Sequence, residues 1–248
     1  KKINVKCKVL IWKGKKPNSN IQSIARYNRY SLLIKECNKR NLNNILLGHQ
    51  IDDLNENFFI RMMRGSGLKG LVSMDEISEN NNIKFLRPLL GIEKSKLKKV
   101  SLKVFKSFIE DPSNINENFK RIRVRNLIKK LENEGFDKKK FNLTISNLKS
   151  ANKALEFYAK KNVLENSFFN SMKHNTVLSK SFFIQPNEII LRSITKVIQK
   201  ISKNYYPPRG KSINSLIIKI KSSKGIKRVT LGGCIFEKAN ETVIISKE

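Results

Sequence analysis

The stretch Gly48-His49-Gln50-Ile51-Asp52-Asp53-Leu54-Asn55-Glu56 decides how this chain is read. Residues 45–48 form a short apolar run of the kind that a buried parallel strand shows. Beyond it the period changes. Leu54, Phe58 and Met62 fall four apart, the spacing of one helix face, over about residues 52–64. A strand therefore ends here and a helix begins. In open α/β sheets, ligands bind outside the carboxyl ends of the strands. Asp52 and Asp53 fall in the first helical turn, where the helix dipole favours negative charge. Glu56 lies one turn from Asp52, and His49 hangs from the strand end. Two carboxylates beside an imidazole can hold a cation, grip an ammonium group or shuttle a proton. Acids also cap helices as a matter of course, so spacing alone leaves both readings open.

Outward from this point, strand and helix alternate. Val5, Cys7, Val9 and Ile11 read as a strand, and Gly14 and Pro17 mark a loop. Residues 20–40 read as a helix with Ile21, Ile24, Leu32, Leu33 and Cys37 in an interrupted stripe. Gly65 and Gly67 stop the helix that begins at Asp52. Residues 83–86 read as a strand closed by Pro88, and 92–106 as an amphipathic helix with Leu97, Val100, Val104 and Phe108 on one face. A short strand is expected at 107–109 and a strongly basic helix at 117–131. The alternation predicts an α/β fold with a parallel, Rossmann-like sheet over residues 1–133. Residues 134–141 read as a linker, and 142–248 as a mainly helical accessory domain. There 143–168 and the face Ile190, Ile194, Val197 and Ile201 are helical, and 205–210 (YYPPRG) breaks the chain. Leu216, Ile217 and Ile220 suggest a further helix. The tail alternates around Val229, Leu231 and Ile235, then Val243 and Ile245. This predicts a small terminal β-hairpin that turns at 238–241.

Composition narrows the function. Among 248 residues, 51 Lys and Arg face 20 Asp and Glu, a net charge of +31. With 39% hydrophobic residues and 14 Phe, this is no disordered polycation. No apolar run approaches the roughly 18 residues of a membrane span, and no basic amphipathic helix with a Trp/Phe face suggests a membrane surface. Cys7, Cys37 and Cys234 stand far apart with no CxxC. That argues against zinc ribbons, iron–sulfur clusters and a disulfide framework, and for a reducing compartment. A surplus of this size calls for a polyanion, and nucleic acid is the commonest. The same Lys, Asn and Ile are also what an AT-rich genome over-supplies.

Three further constellations bear on phosphate chemistry. Arg64-Gly65-Ser66-Gly67 combines a guanidinium fork with glycines that let backbone approach closely, though it equally makes a helix C-cap and turn. Glu110-Asp111-Pro112-Ser113-Asn114 leads into Arg121-Ile122-Arg123-Val124-Arg125-Asn126. There Arg121, Arg125 and Lys129 repeat every four residues, as a phosphate ridge or a solvated basic face. Arg26 and Arg29 alternate with Tyr27 and Tyr30, a pairing that stacks on bases or packs on a sheet.

Taken in order, AR-x-x-RY (25–30), GH-x-x-DD-x-x-E (48–56), RGSGL-x-GL (64–71), RPLL (87–90), EDPSN (110–114) and RIRVRN (121–126) resemble the tRNA(Ile)-lysidine synthetase family. The match covers about the first 130 residues. Thr230-Leu231-Gly232-Gly233-Cys234 is similar to the end of that family's accessory domain. The resemblance implies an N-type ATP-pyrophosphatase domain and a carbon–nitrogen ligase that uses ATP and Mg2+. Such an enzyme adenylates the wobble cytidine of isoleucine tRNA with a CAU anticodon. The ε-amine of L-lysine then displaces AMP, and the codon read changes from AUG to AUA.

It also implies residue roles. His49, Asp52, Asp53 and Glu56 would form the catalytic group, with Asp52 and Asp53 as magnesium ligands or the acids as a grip on the lysine ammonium. His49 would lie near the adenylated base. Arg26, Arg29, Arg64, Gly65, Ser66, Gly67, Arg87, Arg121, Arg123 and Arg125 would face phosphates or the anticodon stem. The expected compartment is the cytoplasm, or the plastid stroma for a plastid gene. A homodimer is compatible with the sequence.

The chain departs from the family at one point: no SGG of the SGGxDS pyrophosphate loop occurs in it. The opening strand reads as a later one of the sheet, which predicts an N-terminally truncated domain with little ligase activity from residues 1–248 alone, because ATP loses a cradle of backbone N–H groups. Rival readings are a tRNA thiolase of the same superfamily, a non-catalytic basic RNA-binding module and a small-molecule amidating ligase.

Overall fold

A computed structural model describes residues 5–15, 21–80, 82–109, 119–171, 175–204, 207–222 and 228–248. The chain divides into two compact units, Lys1–Asn142 and Leu143–Glu248. In the first, α1 (Ile21–Lys39) precedes β1 (Asn44–Leu46), α2 (Ile51–Met62), a single turn α3 (Leu68–Leu71), β2 (Ile77–Asn80) and β3 (Ile83–Leu86). Then come α4 (Lys94–Phe105) and α5 (Lys120–Asn133), and α6 (Lys138–Asn166) runs from this unit into the next. The sheet order is β1-β3-β2, with β1 parallel to β3 and β2 antiparallel to it. The parallel pair is the α/β element expected from the alternation. The hairpin strand β2 was not legible, because Ile77-Ser78-Glu79-Asn80 holds a single apolar residue. On one face, Cys37 from α1 packs with Ile45, Ile83 and Phe85, flanked by Tyr30, Leu33 and Ile34. Phe59 of α2 packs with Val124 and Ile128 of α5 and with Phe136 and Phe141.

Two expected strands are corrected. Residues 5–11 join no strand, and Val5, Val9 and Ile11 are exposed. Alternation assigns side chains to faces but supplies no hydrogen-bonding neighbour, and β1 pairs with β3 alone among the described residues. Residues 107–109 are likewise not a strand, and Ile109 is almost fully exposed. The helix expected over 92–106 forms as α4, but Val100, Val104 and Phe108 of its apolar face stay exposed. EDPSN at 110–114 lies outside the described residues, as do 117–118 of the expected basic helix and 205–206 of YYPPRG.

The second unit continues α6 into β4 (Ser167–Asn170) and β5 (Asn175–Leu178), then α7 (Asn187–Ser202), α8 (Gly210–Lys221), β6 (Val229–Leu231), β7 (Cys234–Ala239) and β8 (Thr242–Lys247). The expected hairpin is β7–β8, turning at Asn240, but it sits inside a five-stranded antiparallel sheet ordered β4-β5-β8-β7-β6. Ile190, Ile194, Val197 and Ile198 of α7 share one core with Ile213, Leu216, Ile217 and Ile220 of α8 and with Phe236, Val243 and Ile245 of the sheet. Arg192 is buried between α7 and α6, where it donates to Glu188 (2.6 Å), Asn152 (2.7 Å) and Glu156 (3.1 Å).

The β6–β7 turn is Gly232-Gly233, both at positive φ (66° and 77°), as a two-residue hairpin loop demands. A Cβ on Gly232 would lie 2.5 Å from Pro208 Cγ. Gly232→Ala is therefore expected to destabilise the second unit by about 1–3 kcal/mol through backbone strain, with the clash adding to it. Urea titration would show it as a lower midpoint at unchanged slope.

Candidate active site

Because β1 and β3 are parallel neighbours, their carboxyl ends open side by side. The Leu47 N–H donates to the Leu86 carbonyl at 2.8 Å, so His49 and Arg87 leave the sheet next to each other. That is the crevice where open α/β sheets take ligands. α2 starts here through a closed capping box. The Gln50 side chain accepts the Asp52 N–H (2.8 Å), and the Asp53 carboxylate accepts the Gln50 N–H (3.0 Å). Capping and site chemistry are thus not alternatives for Asp53, because one carboxylate oxygen caps the helix and the other is left over.

The acids do not act as one group. Asp52 accepts the Lys94 N–H (3.1 Å) and has the Lys138 ammonium at 3.9 Å. Glu56 is 2% exposed and is ion-paired with Arg125. Burial nevertheless raises the Glu56 pKa above the usual carboxylate range, against the pull of Arg125 and with help from Asp53. Neighbouring helix positions do not face each other, so Asp52 and Asp53 make no chelating pair. Among the described residues, no three His, Cys, Asp or Glu side chains converge as a metal site. This donor set does not fit a dedicated magnesium centre.

His49 is half-buried with its Nδ1 unpartnered. Burial lowers its pKa. Asp53 opposes this, while Arg87, Arg26 and Arg121 push the same way as burial. Burial and the arginines both favour the uncharged ring over the imidazolium. Arg26 and Arg29 lie over the Tyr30 ring at 5.0 and 5.5 Å, and that ring packs edge-on against Phe85 of β3. Arg87 is buried, with Nη1 donating to the Asp75 carbonyl (2.7 Å) and Ser78 Oγ (3.0 Å), so much of its fork braces the β2–β3 hairpin. Of the expected arginine ridge, Arg121 and Arg125 turn toward the α2 acids, whereas Arg123 and Lys129 are exposed.

In the RGSG loop, Gly65 sits at φ 67° and its N–H donates to the Met62 carbonyl (2.9 Å), so the loop ends α2. Arg64 is exposed and Gly67 caps α3. Sequence reading missed Arg61, whose pKa is lowered by burial and then by Arg64 and Arg26. It stands one turn before Gly65 on α2, and that spacing was the available signal. Asn55 was also missed; it is buried, and neither of its amide atoms has a partner among the described residues.

The PP-loop domain family matches residues 1–132 of the chain. The chain belongs to the PP-loop domain family. The PP-loop chain is 33% identical over 240 residues to the tRNA(Ile)-lysidine synthase of Wolbachia sp. subsp. Brugia malayi, covering 97% of the chain and 56% of that relative. It is 32% identical over 240 residues to the synthase of that name in Wolbachia pipientis wMel (97% and 56%), and 30% identical over 253 residues to the one in Orientia tsutsugamushi (96% and 55%). The PP-loop chain thus spans about half the length of the curated relatives it matches. Among the described residues, no helix is long and apolar enough to cross a membrane.

Proposed function

We propose that this PP-loop chain performs its part of a tRNA(Ile)-lysidine synthase reaction in the cytoplasm. ATP activates the wobble cytidine of the CAU anticodon as an adenylate, and the ε-amine of L-lysine displaces AMP. The observation that carries the reading is the collinear likeness to synthases of that name over nearly the whole chain, and His49 and Arg87 at the carboxyl ends of β1 and β3 support it. Residues 1–133 would be the catalytic part, 134–141 the linker and 142–248 the tRNA-binding accessory part.

The geometry supports the following roles. The free oxygen of Asp53 grips the lysine ammonium, and neutral His49 beside it takes the proton that must leave before the nitrogen can attack. Glu56 holds Arg125 and so fixes α5. Arg26, Arg64 and Arg121, which have no ion-pair partner among the described residues, offset the charge that builds on the departing phosphate. Magnesium travels on the nucleotide phosphates rather than on the Asp52–Asp53 pair.

The test is incorporation of radiolabelled lysine into an isoleucine tRNA transcript with a CAU anticodon, with and without ATP, by the full-length gene product. ATP-dependent incorporation is expected. Its absence from a protein that still binds the tRNA would overturn the ligase reading.

A further inference from the structure

The second unit carries its own cationic groove. Ile213, Leu216, Ile217 and Ile220 turn inward on α8, which leaves Lys211, Ser215 and Lys219 in a row on the outer side. The facing wall is β6, an edge strand that pairs with β7 alone among the described residues. Between them lies a groove of about 390 Å³. Every polar side chain that lines it can donate a hydrogen bond: two ammonium groups and the hydroxyls of Ser212, Ser215 and Thr230. No carboxylate lines it, and neither lysine has an ion-pair partner among the described residues. α8 opens at Gly210 without a side-chain cap, so the positive end of its dipole stands beside Lys211.

A lysine-rich chain scatters cations everywhere, so charge alone says little. What sets this place apart is concavity, donors on both walls and a sheet edge that no other strand joins among the described residues. The two lysines are eight residues apart, about 12 Å along a helix. Each strand of duplex DNA carries one phosphate per about 3.4 Å of axis, so on that scale the row spans about three to four phosphate steps. We propose that this groove grips one strand of the tRNA backbone, with Lys211 and Lys219 as phosphate contacts. The proposal rests on the tRNA substrate inferred above. Phosphate contacts position without reading sequence, so the groove adds affinity for isoleucine and methionine tRNA alike.

The test measures tRNA affinity of the 248-residue chain by fluorescence anisotropy across a salt series. Four proteins are compared: wild type, Lys211→Gln/Lys219→Gln, Lys211→Arg/Lys219→Arg, and a control pair of equal charge loss on exposed α6 positions, Lys153→Gln/Lys160→Gln. At about 0.7–0.9 per lost phosphate contact, the salt slope of the Gln pair should fall by about 1.4–1.8. The Arg pair should keep the wild-type slope, and the α6 pair should lose less than half as much as the Gln pair. A Gln pair with the wild-type slope, or one matched by the control pair, overturns the groove while leaving the tRNA reading intact. A wild-type chain that binds no tRNA at low salt overturns the groove, and lysine incorporation by the full-length gene product decides the tRNA reading separately.

Discussion

Asp53→Asn should lower ATP-dependent lysine transfer by about 10²- to 10⁴-fold, the usual weight of a positioned acid–base group, while leaving the fold in place. The asparagine oxygen can still accept the Gln50 N–H, so the cap on α2 survives. What disappears is the negative charge next to His49, and with it the grip on the lysine ammonium. Initial rates of labelled lysine incorporation with the full-length gene product would measure the loss. A second readout comes from His49 itself. Burial already lowers its pKa and Asp53 holds it up, so removing the charge should move an NMR titration of the imidazole further down. Asp52→Asn is the contrasting variant. Its carboxylate faces the Lys94 N–H and the Lys138 ammonium, so a smaller loss is expected. A wild-type rate in Asp53→Asn would remove that residue from the reaction.

Arg125→Met should destabilise the first unit by about 3 kcal/mol, the lower end of the cost of stranding a buried charge. The Glu56 side chain is 3% exposed and Arg125 is 29% exposed, so the arginine loses some of its weight to solvent. Glu56→Gln/Arg125→Met should lose less than the single change, because no buried charge is left without its partner. The pH dependence follows from the direction of the Glu56 shift. Its folded pKa lies above its unfolded value, so the folded state binds the proton more tightly. Its contribution is complete below the unfolded value and fades as pH rises through the folded one. Arg125→Met removes the group that holds that pKa down, which extends the window upward. The variant should therefore come closest to wild type in acid, and Glu56→Gln should flatten the slope. Urea denaturation between about pH 4 and pH 8 would show both, because that interval brackets the carboxylate range. Equal destabilisation at every pH would sink the assignment.

Much of this architecture follows from local pattern. The helix that begins after His49 was legible because its acidic first turn and its fourfold apolar spacing agree, while its Gln50 cap was seen only in the structure. α7 was legible from Ile190, Ile194 and Val197, and the terminal hairpin from Val243 and Ile245, although β7 buries Cys234 and Phe236 rather than Ile235. The misses are equally physical. β4 and β5 carry too few apolar residues to show a period. Val5, Cys7, Val9 and Ile11 alternate as a strand does, yet no described strand pairs with them. The apolar face of α4 has the right spacing, yet Val100 and Val104 stay exposed, because a stripe states what a helix can bury and not whether anything covers it.

The site divides along the same line. Residue order alone determined that His49, Asp52 and Asp53 gather at a strand-to-helix junction, because residues adjacent along the chain stay adjacent in space. It also determined that the chain as a whole is strongly cationic, at +31. Only the tertiary structure decided which acid meets which base. Glu56 and Arg125 are 69 residues apart and pair through the packing of α5 on α2. Asp52 and Asp53 differ by one position and face different partners, because each helical step turns the side chain by about 100°. Long-range pairing depends on how elements dock, and no local spacing encodes that.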